Sequence, residues 1–191
     1  MNKGRMEAFS DGVLAIIITI MILEIKVPHG KDFKDLIPLI PIFLSYILSF
    51  LYIGVYWNNH HHMMQTVKKV NGNILWANLH LLFWLSLIPF VTGWIGENSF
   101  AQKPMALYGF ILLMAAIAYY ILQLQIIRFH GIDSVLAKAI GKDVKGKISP
   151  ILYVAGITFS WINTWISSAL FVFVALIWLI PDKRIEKIMK E

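Results

Sequence analysis

Long apolar runs separated by short polar turns predict an all-α integral membrane protein with six transmembrane helices and both termini cytoplasmic. Three observations carry that expectation. Of the 191 residues 58% are hydrophobic, against roughly 45–50% in soluble domains, and the mean hydropathy is +0.68. Stretches of about twenty apolar residues recur from end to end, each enough to cross a hydrocarbon core of roughly 30 Å. The basic residues, finally, fall unevenly between alternate loops.

The first segment runs from Met6 to Val27 and is stopped by Pro28-His29-Gly30. The second, Leu36 to Trp57, carries Pro38 and Pro41 in its first turns, where a missing N–H costs least. It runs out into Asn58-Asn59-His60-His61-His62, then Lys68-Lys69 and the turn signal Asn71-Gly72-Asn73. The third, Ile74 to Ile95, holds Asn78, His80, Ser86 and Pro89 in apolar surroundings. After a loop reaching Pro104, the fourth spans Met105 to Ile127. The longest and most basic loop follows, Arg128 to Lys147, broken by Gly131, Gly141 and Gly146.

The last apolar stretch, Ile148 to Ile180, is about 50 Å long as a helix, too long for one span and short for two. Trp161-Ile162-Asn163-Thr164-Trp165 has a turn-like centre between interfacial tryptophans, so it splits there into two short antiparallel helices. With six spans, thirteen of the 17 lysines and arginines fall on one side. They include Lys3, Arg5, Lys68, Lys69, Lys142, Lys183, Arg184, Lys187 and Lys190. The positive-inside rule then puts both termini in the cytoplasm. Residues 1–191 read as one domain, without internal repeat or low-complexity segment.

Composition also narrows function. The net charge of +6 reflects cytoplasmic loops rather than nucleic acid binding. No cysteine is present, so there is no disulfide framework or thiolate metal site. Lys3 and Arg5 ahead of Gly12–Leu23 resemble a signal peptide, but Asp11 interrupts the apolar core and no small-x-small cleavage site follows. The segment reads as a retained span. No Gly-rich phosphate loop or nucleophile elbow supports an enzyme, and no cofactor is implied. Adjacent histidines on a helix point about 100° apart, so His60, His61 and His62 do not make one zinc site.

The chemistry concentrates on the first segment. Gly12, Ile16, Thr19 and Leu23 share one helical face. Copies of this helix around a symmetry axis would stack Ile16 and Leu23 as apolar rings that gate by dewetting, with Thr19 hydroxyls between them. Equally, such residues are what a lipid-facing helix contains. Arg5, Ser10 and Asp11 at its start need partners or water. Snorkelling and helix capping would satisfy them locally; a fixed network would recruit His60, His61, Asn78 and His80 from the next two segments.

The run Arg5-x-x-x-Phe9-Ser10-Asp11 resembles the signature of the transmembrane protein 175 family of potassium channels. Tyr56-Trp57-x-x-His60-His61, Leu87-Ile88-Pro89-Phe90 and Trp178-Leu179-Ile180-Pro181 extend the likeness over nearly the whole chain. The resemblance implies a bacterial single-repeat form in the cell inner membrane, assembled as a homotetramer that conducts potassium ions passively. It implies a pore lined by the first helix of each subunit, with Ile16 and Leu23 as constrictions and Thr19 linked to cation selectivity. Arg5, Phe9, Ser10 and Asp11 would hold that helix against segments two and three. Some relatives carry a hydroxyl where Ala15 stands, so weaker discrimination among monovalent cations is expected. The alternatives are a coupled secondary transporter using Asp11 and the histidines as a titrating relay, and a non-conducting scaffold.

Overall fold

The computed structural model describes residues 2–140 and 143–179. The expectations resting on Gly141, Lys142, Ile180, Pro181 and the basic tail beyond them lie outside these residues. Every regular element among the described residues is helical. Four helical stretches are long and apolar enough to cross a membrane: Lys3–Leu23, Phe33–Gln65, Gly72–Glu97 and Gln102–His130.

Helix α1 (Lys3–Leu23) begins where the Asn2 side chain accepts a hydrogen bond from the Gly4 N–H, satisfying one of the orphan donors of its first turn. A 3₁₀ segment, Phe33–Leu39, leads into α2 (Ile40–Gln65), which has Pro41 in its first turn. Helix α2 continues eight residues past Trp57. The three histidines are thus part of the helix rather than its trailing end, and the buried Met63 and Met64 anchor this last portion.

The third segment is two helices, α3 (Gly72–Ser86) and α4 (Ile88–Glu97), with Leu87 between them. Pro89 explains the break: it has no N–H to offer the Leu85 carbonyl, and its ring crowds that turn. Helix α5 (Gln102–His130) ends at Gly131, whose φ of +91° is open to glycine and costly for other residues. The basic loop beyond it contains a short helix, α6 (Val135–Ile140), held by the buried Leu136 and Ala139. Six residues are too few to announce themselves by periodicity. Helices α7 (Val144–Ser160) and α8 (Thr164–Leu179) are separated by Trp161–Asn163. There the Asn163 side chain accepts from the Trp165 N–H and opens α8.

Helix α5 is the hub, packed on α3 and α7; α7 also packs on α8, and α2 on α4. Helix α1 lies against α2, α3 and α4. Apolar side chains gain little by leaving lipid for protein, so close packing and interhelical hydrogen bonds must hold such a bundle. Both are present. Ser49 shares hydrogen bonds with Thr92 (2.6 Å) and Tyr108 (3.0 Å), and the Tyr52 hydroxyl donates to the Phe171 carbonyl at 2.6 Å.

Helices α2 and α4 approach closely at Gly96. A Cβ there would lie 2.6 Å from Ile42 Cα and 2.9 Å from Ser45 Oγ. Gly96→Ala is expected to destabilise the fold by about 1–3 kcal/mol, read as a lower thermal midpoint by circular dichroism in detergent. An unchanged midpoint would mean that this approach is not a tight one.

Candidate functional site

Helix α1 has two unlike faces. Met6, Ser10, Leu14, Ile17 and Met21 are buried against the rest of the chain, at the i, i+4, i+7 or i+8 spacing of one helical stripe. Gly12, Ile16, Thr19 and Leu23 lie on the uncovered side. Ile16 is 58% exposed and Leu23 79%. The Thr19 hydroxyl donates to the Ile16 carbonyl at 2.9 Å. That bond uses the proton and leaves the oxygen lone pairs on the open face as acceptors.

The buried face is fixed by a polar chain running through three helices. Asn78 of α3 donates its amide to Ser10 Oγ at 2.9 Å, and Ser10 donates in turn to the Met6 carbonyl at 2.9 Å. The Asn78 amide oxygen can only accept, so His60 of α2 donates to it from Nε2 at 2.8 Å. Ser10 is 0% exposed, Asn78 1% and His60 3%. A buried polar chain with each of these groups partnered sets one relative rotation of α1, α2 and α3.

Asp11 sits apart from that chain, at the surface. Its carboxylate accepts from Trp57 Nε1 at 3.0 Å. Trp57 stacks on His61 one turn later, with centroids 6.1 Å apart, and His61 Nε2 accepts from Gln65. Trp57 was not assigned to the network from the sequence. Its i, i+4 spacing to His61, and an indole N–H that needs a partner, are the signals that point to it.

Three expected members stand elsewhere. Arg5 and Phe9 turn outward, onto the stripe that continues through Gly12 and Ile16. Arg5 makes no side-chain hydrogen bond or ion pair among the described residues. His80 departs from the proposed network: its Nε2 accepts from Trp84 Nε1 at 3.0 Å. The reason is angular. Two residues apart on α3, Asn78 and His80 point about 200° apart, so both cannot face α1. His62 Nδ1 meets the Asn58 carbonyl at 3.2 Å, and among the described residues no group of three His, Cys, Asp or Glu could hold a metal ion.

An open cleft of about 610 Å³ runs beside the contact of α1 with α4, lined by Ile16, Ile17 and Ile20 on one side and by Pro89, Phe90 and Gly93 on the other. Ser86, Glu24 and Glu97 also line this cleft. An uncovered apolar stripe, on a helix fixed from behind by polar bonds, suits contact with another apolar helix or with lipid.

The family profile described as endosomal/lysosomal potassium channel TMEM175 matches residues 5–89, the region holding this whole constellation. A potassium channel of Chryseobacterium sp. (strain P1-3) is 62% identical over 191 residues, the full length of both chains. This chain belongs to the TMEM175 family. A solved structure described as a lysosomal potassium-selective channel TMEM175 homolog from Chamaesiphon minutus superposes with a TM-score of 0.81 at 31% identity, covering 94% of this chain and 97% of that one. The human endosomal/lysosomal proton channel TMEM175 is 34% identical over 116 residues, 54% of this chain and 23% of its own length. This TMEM175 member is therefore an all-helical membrane protein with the fold of a channel. Its named relatives are channels rather than enzymes, and none supports the coupled-carrier alternative.

Proposed function

We propose that this chain is a passive, potassium-preferring cation channel of a bacterial inner membrane, assembled as a homotetramer with α1 of each subunit at the central axis. Residues 1–191 form one domain of six spans, α7 and α8 being the short fifth and sixth, with both termini cytoplasmic. Ile16 and Leu23 form apolar rings that the permeating ion must pass, and Thr19 between them offers oxygens to a partly dehydrated potassium ion. Ser10, Asn78 and His60, with Asp11, Trp57 and His61 beside them, hold α1 in place without touching the ion. Arg5 and Phe9 face the neighbouring subunit.

One observation carries this reading. The two faces of α1 are divided so that Ile16, Thr19 and Leu23 stay uncovered while Met6, Ser10, Leu14, Ile17 and Met21 are sequestered. The relatives' names supply the ion: the Chryseobacterium protein is named a potassium channel.

Thr19→Val tests the selectivity step, because it keeps the shape and removes the oxygen. The expected result is a fall in potassium-over-sodium preference of about tenfold, the equivalent of about 1.4 kcal/mol. It is read as a shift of reversal potential under mixed potassium and sodium. An unshifted reversal potential would remove Thr19 from the ion pathway.

A further inference from the structure

The turn between α2 and α3 lies between two helix ends, so its backbone N–H groups must find partners outside a helical ladder. Those of Thr66 and Val67 still reach the Met63 and Met64 carbonyls in the last turn of α2. Those of Lys68 and Lys69 reach another helix. Both donate to one atom, Nε2 of His130 at the end of α5, at 3.4 Å each. The two bonds are long, and neither is strong alone, but they converge on a single acceptor. Val67 and Val70, 2% and 9% exposed, press the turn onto the bundle on either side of them.

The other ring nitrogen fixes the tautomer. His130 Nδ1 meets the Ile126 carbonyl at 3.0 Å, and a carbonyl can only accept, so Nδ1 carries the proton. Nε2 is then bare, as two converging N–H groups require. A proton on Nε2 would set a third N–H at the meeting point of two others, and both backbone donors would lose their acceptor. Histidine changes charge between about pH 5 and 8, and this ring is half-buried at the end of its helix, within reach of solvent. The ionisable groups on the segments around it are His62 in the last turn of α2, Lys68 and Lys69 on the turn, Arg128 on α5, Asp133 beyond Gly131 and Lys138 on α6. The only one on α3 is His80, turned to Trp84. Among the described residues no carboxylate pairs with His130, so no ion pair takes the place of these bonds when the ring charges. The carbonyl end of α5 favours a charged ring, and the neighbouring cations oppose it. In either case the proton ends acceptance at Nε2.

We propose that His130 is a pH-sensitive clasp. Neutral, it ties the α2–α3 turn to α5; protonated, it releases Lys68 and Lys69 and the turn loosens. The turn matters because of what its two helices carry. His60 lies eight residues before Lys68 and Asn78 nine after Lys69, and the chain from His60 through Asn78 holds Ser10 of α1. Release at His130 thus frees α2 and α3 at the end nearest their grip on α1. In the topology proposed above this face is cytoplasmic, which makes the clasp a sensor of internal pH. The clasp itself depends neither on that orientation nor on ion conduction.

The test is amide hydrogen exchange, read by mass spectrometry on purified full-length protein in lipid nanodiscs at about pH 8 and about pH 5.5, either side of the histidine range. Rates are divided by the intrinsic rate at each pH, so that only protection is compared. Protection of the turn, residues 66–71, is expected to fall about threefold or more on acidification, the worth of one modest hydrogen bond. The break at Trp161–Asn163, at the far end of the bundle, should not change. His130→Gln should hold the turn at both pH values, because its amide oxygen accepts and takes up no proton. His130→Arg should leave the turn loose at both, since guanidinium only donates, even though a cation suits a helix C-terminus. Protection of the wild-type turn that ignores pH would overturn the proposal. So would a turn that stays pH-dependent in His130→Gln, a fully protected turn in His130→Arg, or an equal loss at Trp161–Asn163.

Discussion

Ile16→Asn is expected to raise potassium flux through protein reconstituted in liposomes about tenfold or more. The reasoning starts from the cost of passing an ion through a dry, apolar ring. An isoleucine ring narrow enough to exclude water leaves the ion no solvent, and the empty ring itself resists wetting. Asparagine has as many side-chain heavy atoms but carries hydrogen-bonding groups, so in the proposed tetramer a ring of four asparagines would hold water where a ring of isoleucines would not. Each 1.4 kcal/mol removed from the barrier is worth about a factor of ten in rate. Position decides the effect. Ile17, the next residue, is 3% exposed and packs into the subunit, so Ile17→Asn should damage folding instead of opening a path. Unchanged flux from correctly assembled Ile16→Asn protein would place the constriction elsewhere.

The second large effect is expected at Asn78. Asn78→Leu leaves the His60 Nε2–H without its acceptor and strips Ser10 of its donor, in a place where all three residues are almost fully buried. An orphaned buried polar group costs about 1–3 kcal/mol, and here α1 also loses the bond that sets its rotation. The thermal midpoint in detergent and the yield of folded protein should fall clearly below wild type. The reversal potential of whatever protein survives should be unchanged, because the proposed pathway runs along the other face of α1 from Asn78. Asp11→Ala should be milder, since the Asp11–Trp57 bond lies at the surface, where a single polar contact is worth less. A wild-type midpoint in Asn78→Leu would mean the buried chain contributes nothing to holding α1.

Local signals carried much of the fold. The turn at Asn71 and the break at Trp161–Asn163 follow from residues that open or end helices wherever they occur. Helix α1, by contrast, ends at Leu23, short of the stop expected at Pro28, and Pro104 lies in the first turn of α5 rather than in the loop before it. The uncovered stripe of α1 was legible too, since Gly12, Ile16, Thr19 and Leu23 follow the 3.6-residue period. What was not legible depends on how helices turn toward one another. His60 and His80 look alike in the sequence, yet one meets Asn78 and the other its own helix neighbour Trp84. That choice is set by the rotations of α2 and α3, fixed in turn by the burial of Met63, Met64, Ile74 and Leu81. The same holds for the space lined by Tyr52, Tyr119, Tyr153 and Trp178, whose walls come from four different helices, α2, α5, α7 and α8. The break between α3 and α4 lay within reach, because Pro89 stood in plain view inside the third segment.

The most direct test of α1 as the wall of an ion pathway uses the absence of native cysteine. Cysteines placed singly along α1 can be challenged with a cationic, membrane-impermeant thiol reagent while potassium flux is followed in liposomes. Block is expected at Gly12→Cys, Thr19→Cys and Leu23→Cys, and none at Leu14→Cys, Ile17→Cys or Met21→Cys. A pattern shifted onto the buried face, or block spread evenly around the helix, would contradict α1 as the lining of the path.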